Sequence, residues 1–124
     1  MDLKEYALTK VSTTTVALDG TGQTTLYTVP AGKTFIPVMA ILRAGADCGA
    51  SIVTLGRSTA LTDFLNSQTL GNIDAADDMA ILQPVPNATP VLLKTYAAGI
   101  IFQIDVTTAL GGATNYVDLF GWLI

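Results

Sequence analysis

Alternation between apolar and polar side chains is the clearest pattern along this chain. One set of alternate positions in residues 100–108 is apolar: Ile100, Phe102, Ile104 and Val106. The other set contains Ile101, Gln103 and Asp105. Successive side chains of a strand point to opposite faces of its sheet, so this spacing predicts a half-buried strand.

Two other segments are apolar at both sets of alternate positions. In residues 35–42, the set Phe35, Pro37, Met39 and Ile41 alternates with Ile36, Val38, Ala40 and Leu42. Near the end of the chain, Val117, Leu119 and Leu123 alternate with Phe120, Trp122 and Ile124. An antiparallel sheet ordinarily leaves one face to water. These strands therefore need a second cover, which is a loop, the segment 56–78 or another subunit, and we favour another subunit.

Strand-forming residues dominate the whole chain, which has a single glutamate and many Thr, Val and Ile. The expected strands cover residues 9–18, 24–29, 33–44, 50–55, 79–83, 90–96, 100–108 and 115–123. Glycine-rich turns separate most of them, and about eight short strands at this spacing are typical of a sandwich or barrel. Residues 56–78 show no strand pattern, and we expect one long irregular loop there, with a short helical turn around Thr62 to Leu65.

The sequence Val29-Pro30-Ala31-Gly32-Lys33 predicts a tight turn between two strands. Proline fixes φ near −65°, which suits the second position of a turn running from Val29 to Gly32. Gly32 is then expected at positive φ, as a type I turn with a bulge if the flanking strands pair directly. Lys33 follows as an exposed charge.

The composition limits the classes of protein to which this chain can belong. The 124 residues predict a single domain, 1–124. Half of the residues are hydrophobic and 13% are charged, so burial against other chains is expected. No apolar run approaches the roughly 18 residues of a membrane span, and residues 1–10 lack the apolar core of a signal peptide. The six basic residues are scattered and the net charge is −4, which argues against nucleic-acid binding.

Most catalytic arrangements lack the residues they require. The chain has no histidine, which removes the Ser-His-Asp triad and the usual zinc sites. No phosphate-binding loop follows Gly20-Thr21-Gly22. A paired-carboxylate glycosidase would need aromatic platforms, whereas the aromatic residues here fall within strand patterns and are expected in the core. We therefore expect no enzymatic activity and no cofactor.

A few polar residues could serve a binding site or only the fold. Asp74, Asp77 and Asp78 are weak candidates for a Ca²⁺ site, but they lack the spacing of an EF-hand and are expected to be a solvated loop. Cys48 is expected to be a small buried residue. Asp105 or Asp118 is expected to partner Arg43 or Arg57, and the Asn87-Ala88-Thr89 sequon is expected to be a turn.

Three stretches carry a family resemblance: residues 25–45 (TLYTVPAGKTFIPVMAILRAG), 49–56 (GASIVTLG) and 99–124 (GIIFQIDVTTALGGATNYVDLFGWLI). They resemble small jelly-roll structural proteins of tailed bacteriophages, which include head decoration (cement) proteins and modules of tails and fibres. The matching motifs are Val29 to Lys33 and Phe120 to Leu123, and both are structural. The resemblance implies an antiparallel jelly-roll sandwich that forms oligomers on a virion.

Composition and resemblance together lead to one functional expectation and one alternative. We expect a capsid decoration protein, a homotrimer that contacts the major capsid protein or another virion protein and is assembled in the host cytoplasm. Phe120, Trp122 and Ile124 are the candidate oligomer contacts, although the same pattern also marks ordinary core. The alternative is a tail or fibre module that recognises a carbohydrate or receptor through Tyr27, Tyr96 and Tyr116, with residues 56–78 as a rim.

Overall fold

The computed structural model describes residues 7–124, so the expectation for residues 1–10 lies largely outside the described part. Nine strands occur within these residues and are numbered in chain order. They are β1 (Thr9–Val16), β2 (Gly22–Thr28), β3 (Thr34–Arg43), β4 (Ile52–Arg57), β5 (Ala60–Thr69), β6 (Met79–Leu82), β7 (Tyr96–Ala97), β8 (Ile101–Thr108) and β9 (Asn115–Leu123). Within the described residues, no helix has the length and apolar character needed to cross a membrane.

Two antiparallel sheets form the sandwich that the sequence predicts. Sheet A has the order β1-β9-β3-β6, with the short β7 also paired to β3, and sheet B has the order β2-β8-β4-β5. In each sheet, strands from the two ends of the chain lie side by side: β9 pairs with β1, and β8 with β2. This interleaved order is that expected of a jelly roll.

The segment 56–78 is the main error of the sequence prediction. Residues 60–69 form β5, which makes a hairpin with β4 through the two-residue turn Ser58-Thr59, and no helical turn occurs at Thr62 to Leu65. The register of β4 against β5 shifts twice, and Phe64 and Leu65 are both buried although they are neighbours. Such bulges interrupt the two-residue period, which explains why the strand was not recognised.

The strand predicted over residues 90–96 is also wrong, because only Tyr96 and Ala97 belong to a strand. Residues 83–95 have no regular structure, and we call them the strap because they connect β6 to β7 along one edge of β3. Three prolines in the strap cannot donate to a strand ladder. Leu92 is 86% exposed, so this apolar run does not mark a buried strand.

The turn at Val29 to Lys33 joins β2 in sheet B to β3 in sheet A, so it is a corner and not a hairpin. Gly32 has φ of +73°, which confirms the predicted positive φ. The closing hydrogen bond runs from the Lys33 amide to the Pro30 carbonyl at 3.2 Å, one residue later than predicted. Gly32 is therefore the third turn position, where a positive φ is typical of type II.

Apolar side chains of both sheets fill the space between them. Phe35 from sheet A and Phe102 from sheet B meet edge to face, with ring centroids 6.4 Å apart. Phe102, Ile104 and Val106 are buried, as the pattern in β8 predicts. Cys48 is also fully buried, and this burial raises the pKa of its thiol, with the carboxylates of Asp47 and Asp78 adding to the effect.

Candidate functional site: the outer face of sheet A

Strand β9 presents two different faces. Its odd-numbered residues Asn115, Val117, Leu119 and Gly121 are buried, and its even-numbered residues are half-buried on the side away from the core. Phe120 and Trp122 lie on that outer side, as the alternation predicts, and Ile124 continues it beyond the strand. The expectation that the aromatic residues lie in the core is therefore wrong for Phe120 and Trp122. The contact of these three residues with another subunit remains a prediction.

Strand β3 adds apolar side chains to the same surface, but not with the alternation expected from its sequence. A bulge between Pro37 and Met39 shifts the register against β9. Before the bulge Phe35 and Pro37 are buried, whereas after it Ala40 and Leu42 are buried. Met39 and Ile41 therefore face outward with Ile36, and the prediction that they share a face with Phe35 is wrong.

Strand β6 continues this surface to the edge of the sheet. Met79 is 65% exposed and Ile81 is 60% exposed. Directly paired residues of an antiparallel sheet lie on one face, and Ile81 pairs with Ile41, which in turn pairs with Asp118. We call the apolar part of this surface the outer face of sheet A, and its members are Ile36, Met39, Ile41, Met79, Ile81, Phe120, Trp122 and Ile124.

Polar residues lie on the same surface: Arg43 is paired between Tyr116 and Met79, and Asp118 between Thr13 and Ile41. The Arg43 guanidinium lies 4.8 Å from the centre of the Tyr116 ring, a cation–π contact. The Thr13 hydroxyl donates to Asp118 Oδ1 at 2.6 Å. The salt bridge of Arg57 goes to Asp63, so neither arginine uses the partner expected from the sequence.

The corresponding face of sheet B is polar. Gln23, Thr25, Gln103 and Asp105 occupy paired positions on β2 and β8, and Gln103 Nε2 donates to Thr25 Oγ1 at 3.1 Å. The two outer surfaces of one sandwich therefore differ, since one carries large apolar side chains and the other carries hydrogen-bonding groups. An exposed apolar surface of this kind marks an interaction site more often than a surface left to water.

A second cluster of interacting residues centres on Asp63, which no pattern in the sequence indicates. Its side chain is only 10% exposed and contacts Arg57 Nε through Oδ2 at 2.9 Å. Oδ1 accepts hydrogen bonds from the Arg57 amide at 3.1 Å and from the Tyr96 hydroxyl at 2.8 Å. Lys94 Nζ donates to the Asp63 carbonyl oxygen, so Asp63 holds the strap against the β4–β5 hairpin.

The candidate acidic cluster has a structural explanation. Asp78 Oδ2 accepts hydrogen bonds from the backbone amides of Asp74 and Ala75 at 3.3 and 3.2 Å. Asp77 has φ of +71°, and its amide donates to the Ala44 carbonyl. Across residues 7–124, no group of three or more His, Cys, Asp or Glu side chains is placed to hold a metal ion.

The three tyrosines considered for carbohydrate binding serve different parts of the fold. Tyr27 packs against Phe35 with ring centroids 5.2 Å apart, and Tyr96 is buried against Phe102 and Asp63. Tyr116 lies at the border of the outer face beneath Arg43. Residues 56–78, the predicted rim of a carbohydrate site, form the β4–β5 hairpin and the loop after it. The expected arrangement of the three tyrosines around one long loop is therefore not formed.

No protein-family model, curated protein or solved structure matches the chain.

Proposed function

We propose that this chain is a structural protein of a bacteriophage virion, a decoration protein that stabilises the head as a homotrimer. The observation that carries the proposal is the outer face of sheet A, which presents large apolar side chains to solvent in the single chain. Covering this face with neighbouring copies arranged around an axis would remove it from water. The resemblance of residues 25–45 and 99–124 to phage jelly-roll proteins supports the same assignment.

The proposed protein stabilises the head by binding the assembled capsid. A trimer that contacts several capsid subunits at once binds the closed shell and not its separated parts, and such selective binding stabilises the shell. The low charge of the chain supports burial in protein contacts, because few charges would have to be removed from water. The stabilisation needs no chemical step.

The test uses heads of the phage that encodes the chain, prepared from a mutant that lacks it. We expect added protein to co-sediment with these heads, to saturate, and to raise their melting temperature. Ile81→Lys should reduce binding because it places a charge on the outer face, whereas Gln23→Lys adds the same charge to the polar face of sheet B and should bind normally. Failure of the protein to co-sediment, or saturable binding to one class of glycan without binding to heads, would contradict the proposal.

A further inference from the structure

One edge of β3 is only partly paired. On that edge β7 pairs with Thr34 and Phe35, and β6 pairs with residues 40–43. In the part of the chain that the structure describes, residues 36–39 therefore have no strand beside them there. Pro37, which has no N–H group to leave unpaired, lies in this gap. The strap passes the gap on its way from β6 to β7, and Lys94 and Tyr96 bind its end to Asp63.

A pocket of about 150 Å³ lies where the strap, β3 and β5 meet. Its apolar wall consists of Pro37, Phe64, Pro84, Val91, Leu92 and Leu93. The pocket is open to solvent, because Leu92 and Leu93 in its wall are 86% and 43% exposed. Its volume is close to that of a benzene-sized site, and sites for drug-sized ligands are larger. The pocket therefore fits one apolar side chain.

The charge at the mouth of this pocket favours an acidic neighbour. Asp63 and Lys94 line the pocket, and the Asp63 carboxylate is already paired with Arg57 and Tyr96. Lys94 uses Nζ to donate to one carbonyl, which leaves ammonium hydrogens free for another acceptor. The side chain of Arg57 is 46% exposed. Two of the six basic residues thus meet at Asp63, Arg57 at its carboxylate and Lys94 at its backbone carbonyl, in a chain of net charge −4.

We propose that this pocket is an anchor site for a protein partner that inserts one side chain of leucine size and places an acidic residue beside Lys94 and Arg57. A few anchors that fill pockets supply most of the affinity of many interfaces, and a nearby charge pair adds specificity. None of the lining residues belongs to the outer face of sheet A. The anchor site and the proposed function can therefore fail separately.

NMR titration of the labelled protein with three blocked dipeptides tests the site. The dipeptides are acetyl-Leu-Asp-amide, acetyl-Leu-Lys-amide and acetyl-Ala-Asp-amide. We expect the Leu-Asp peptide to shift the amide signals of Phe64, Leu93 and Lys94. The Leu-Lys peptide should bind about two- to fivefold more weakly, because it loses an exposed charge pair. The Ala-Asp peptide should bind at least about tenfold more weakly, because less apolar surface is buried.

Two pairs of variants separate the roles of shape and charge. Val91→Phe fills the pocket and should abolish binding of both leucine peptides, whereas Val85→Phe, on the same strap but outside the pocket, should not. Lys94→Gln should remove the preference for Leu-Asp over Leu-Lys, because it removes the charge. It should keep the preference for Leu-Asp over Ala-Asp. Lys33→Gln removes a charge outside the pocket and should keep both preferences. The proposal is overturned if no peptide shifts these signals up to its solubility limit, if Leu-Lys binds as tightly as Leu-Asp, or if Val91→Phe binds like wild type.

Discussion

At the scale of single residues, two polar residues with little exposure, Asp63 and Asn115, join parts of the chain that are distant in sequence. Asp63 connects the β4–β5 hairpin to Tyr96 and to the strap. Asn115 is fully buried: its Oδ1 accepts from the Gly45 amide at 3.1 Å, and its Nδ2 donates to the Val16 and Gly112 carbonyls at 3.2 and 3.0 Å. Each of these residues satisfies backbone groups that would otherwise lose hydrogen bonds on folding.

Asn115→Asp should destabilise the protein by about 2 kcal/mol or more at neutral pH, because a carboxylate cannot donate to the two carbonyls. The buried carboxyl should have a folded pKa above its unfolded value near 3.9. The cost should therefore shrink as the pH falls towards about 4, where the unfolded state loses its charge advantage. Urea unfolding at both pH values measures this, with the exposed Asn87→Asp as control. Equal stability of Asn115→Asp and wild type at neutral pH would contradict these contacts.

Tyr96 should make stability fall at high pH. Burial, and then the hydrogen bond to Asp63 and its charge, raise the pKa of Tyr96. Above about pH 10 the unfolded chain releases this proton while the folded chain keeps it, so the free energy of unfolding decreases as the pH rises.

Tyr96→Phe should therefore flatten this decrease, and at neutral pH it should cost about 1–3 kcal/mol because Asp63 Oδ1 loses a donor. Denaturant midpoints at about pH 8 and about pH 11 test both effects. Tyr27 and Cys48 also have raised pKa values, so some decrease should remain in the variant. Tyr116→Phe, at the border of the outer face, serves as control. An unchanged slope in Tyr96→Phe would refute the assignment.

At the scale of elements, the sequence predicts strands well where the two-residue period is unbroken. Strand β9 has the bounds predicted for it, and β8 differs by one residue. Strand β5 was missed because bulges break its period, and the face of Met39 was misassigned because of the bulge in β3. Bulges depend on pairing with another strand, so a local pattern does not reveal them.

The candidate site was predictable to a similar extent. Phe120, Trp122 and Ile124 follow from the alternation in β9. The pocket beneath the strap was not predictable, because it depends on Asp63 meeting Lys94 and Tyr96, and these are separated by about thirty residues. Only the folded chain brings such residues together.

The corner between β2 and β3 provides a prediction at this scale. Gly32→Val should cost about 1–2 kcal/mol, because a β-branched residue is strained at φ of +73°. Within residues 7–124, nothing beyond its two chain neighbours lies within 4 Å of a Cβ added at Gly32, so the cost is conformational and not steric. Gly20→Val is the matched control, since Gly20 has the same open surroundings without a left-handed φ, and its stability should change by less than about 0.5 kcal/mol. Equal stability of the two variants in thermal unfolding would refute the turn geometry.

At the scale of the whole molecule, the sandwich is asymmetric. On the outer side of sheet A, large apolar side chains extend to the exposed Met79 and Ile81 at its edge, with Arg43 and Asp118 among them. Sheet B presents Gln23, Gln103 and Asp105. The same asymmetry explains why β3 and β9 read as apolar on both sides in the sequence. One of their faces forms the core, and the proposed function assigns the other to neighbouring copies.

Light scattering of the purified protein tests this central claim most directly. We predict the mass of a trimer of 12.9 kDa chains for wild type and for Gln23→Lys, and the mass of a monomer for Ile81→Lys. Ile81 is largely exposed in the single chain, so the substitution should leave the fold intact, which circular dichroism would verify. A monomeric wild type, or an Ile81→Lys variant that remains a trimer, would contradict burial of the outer face of sheet A between copies.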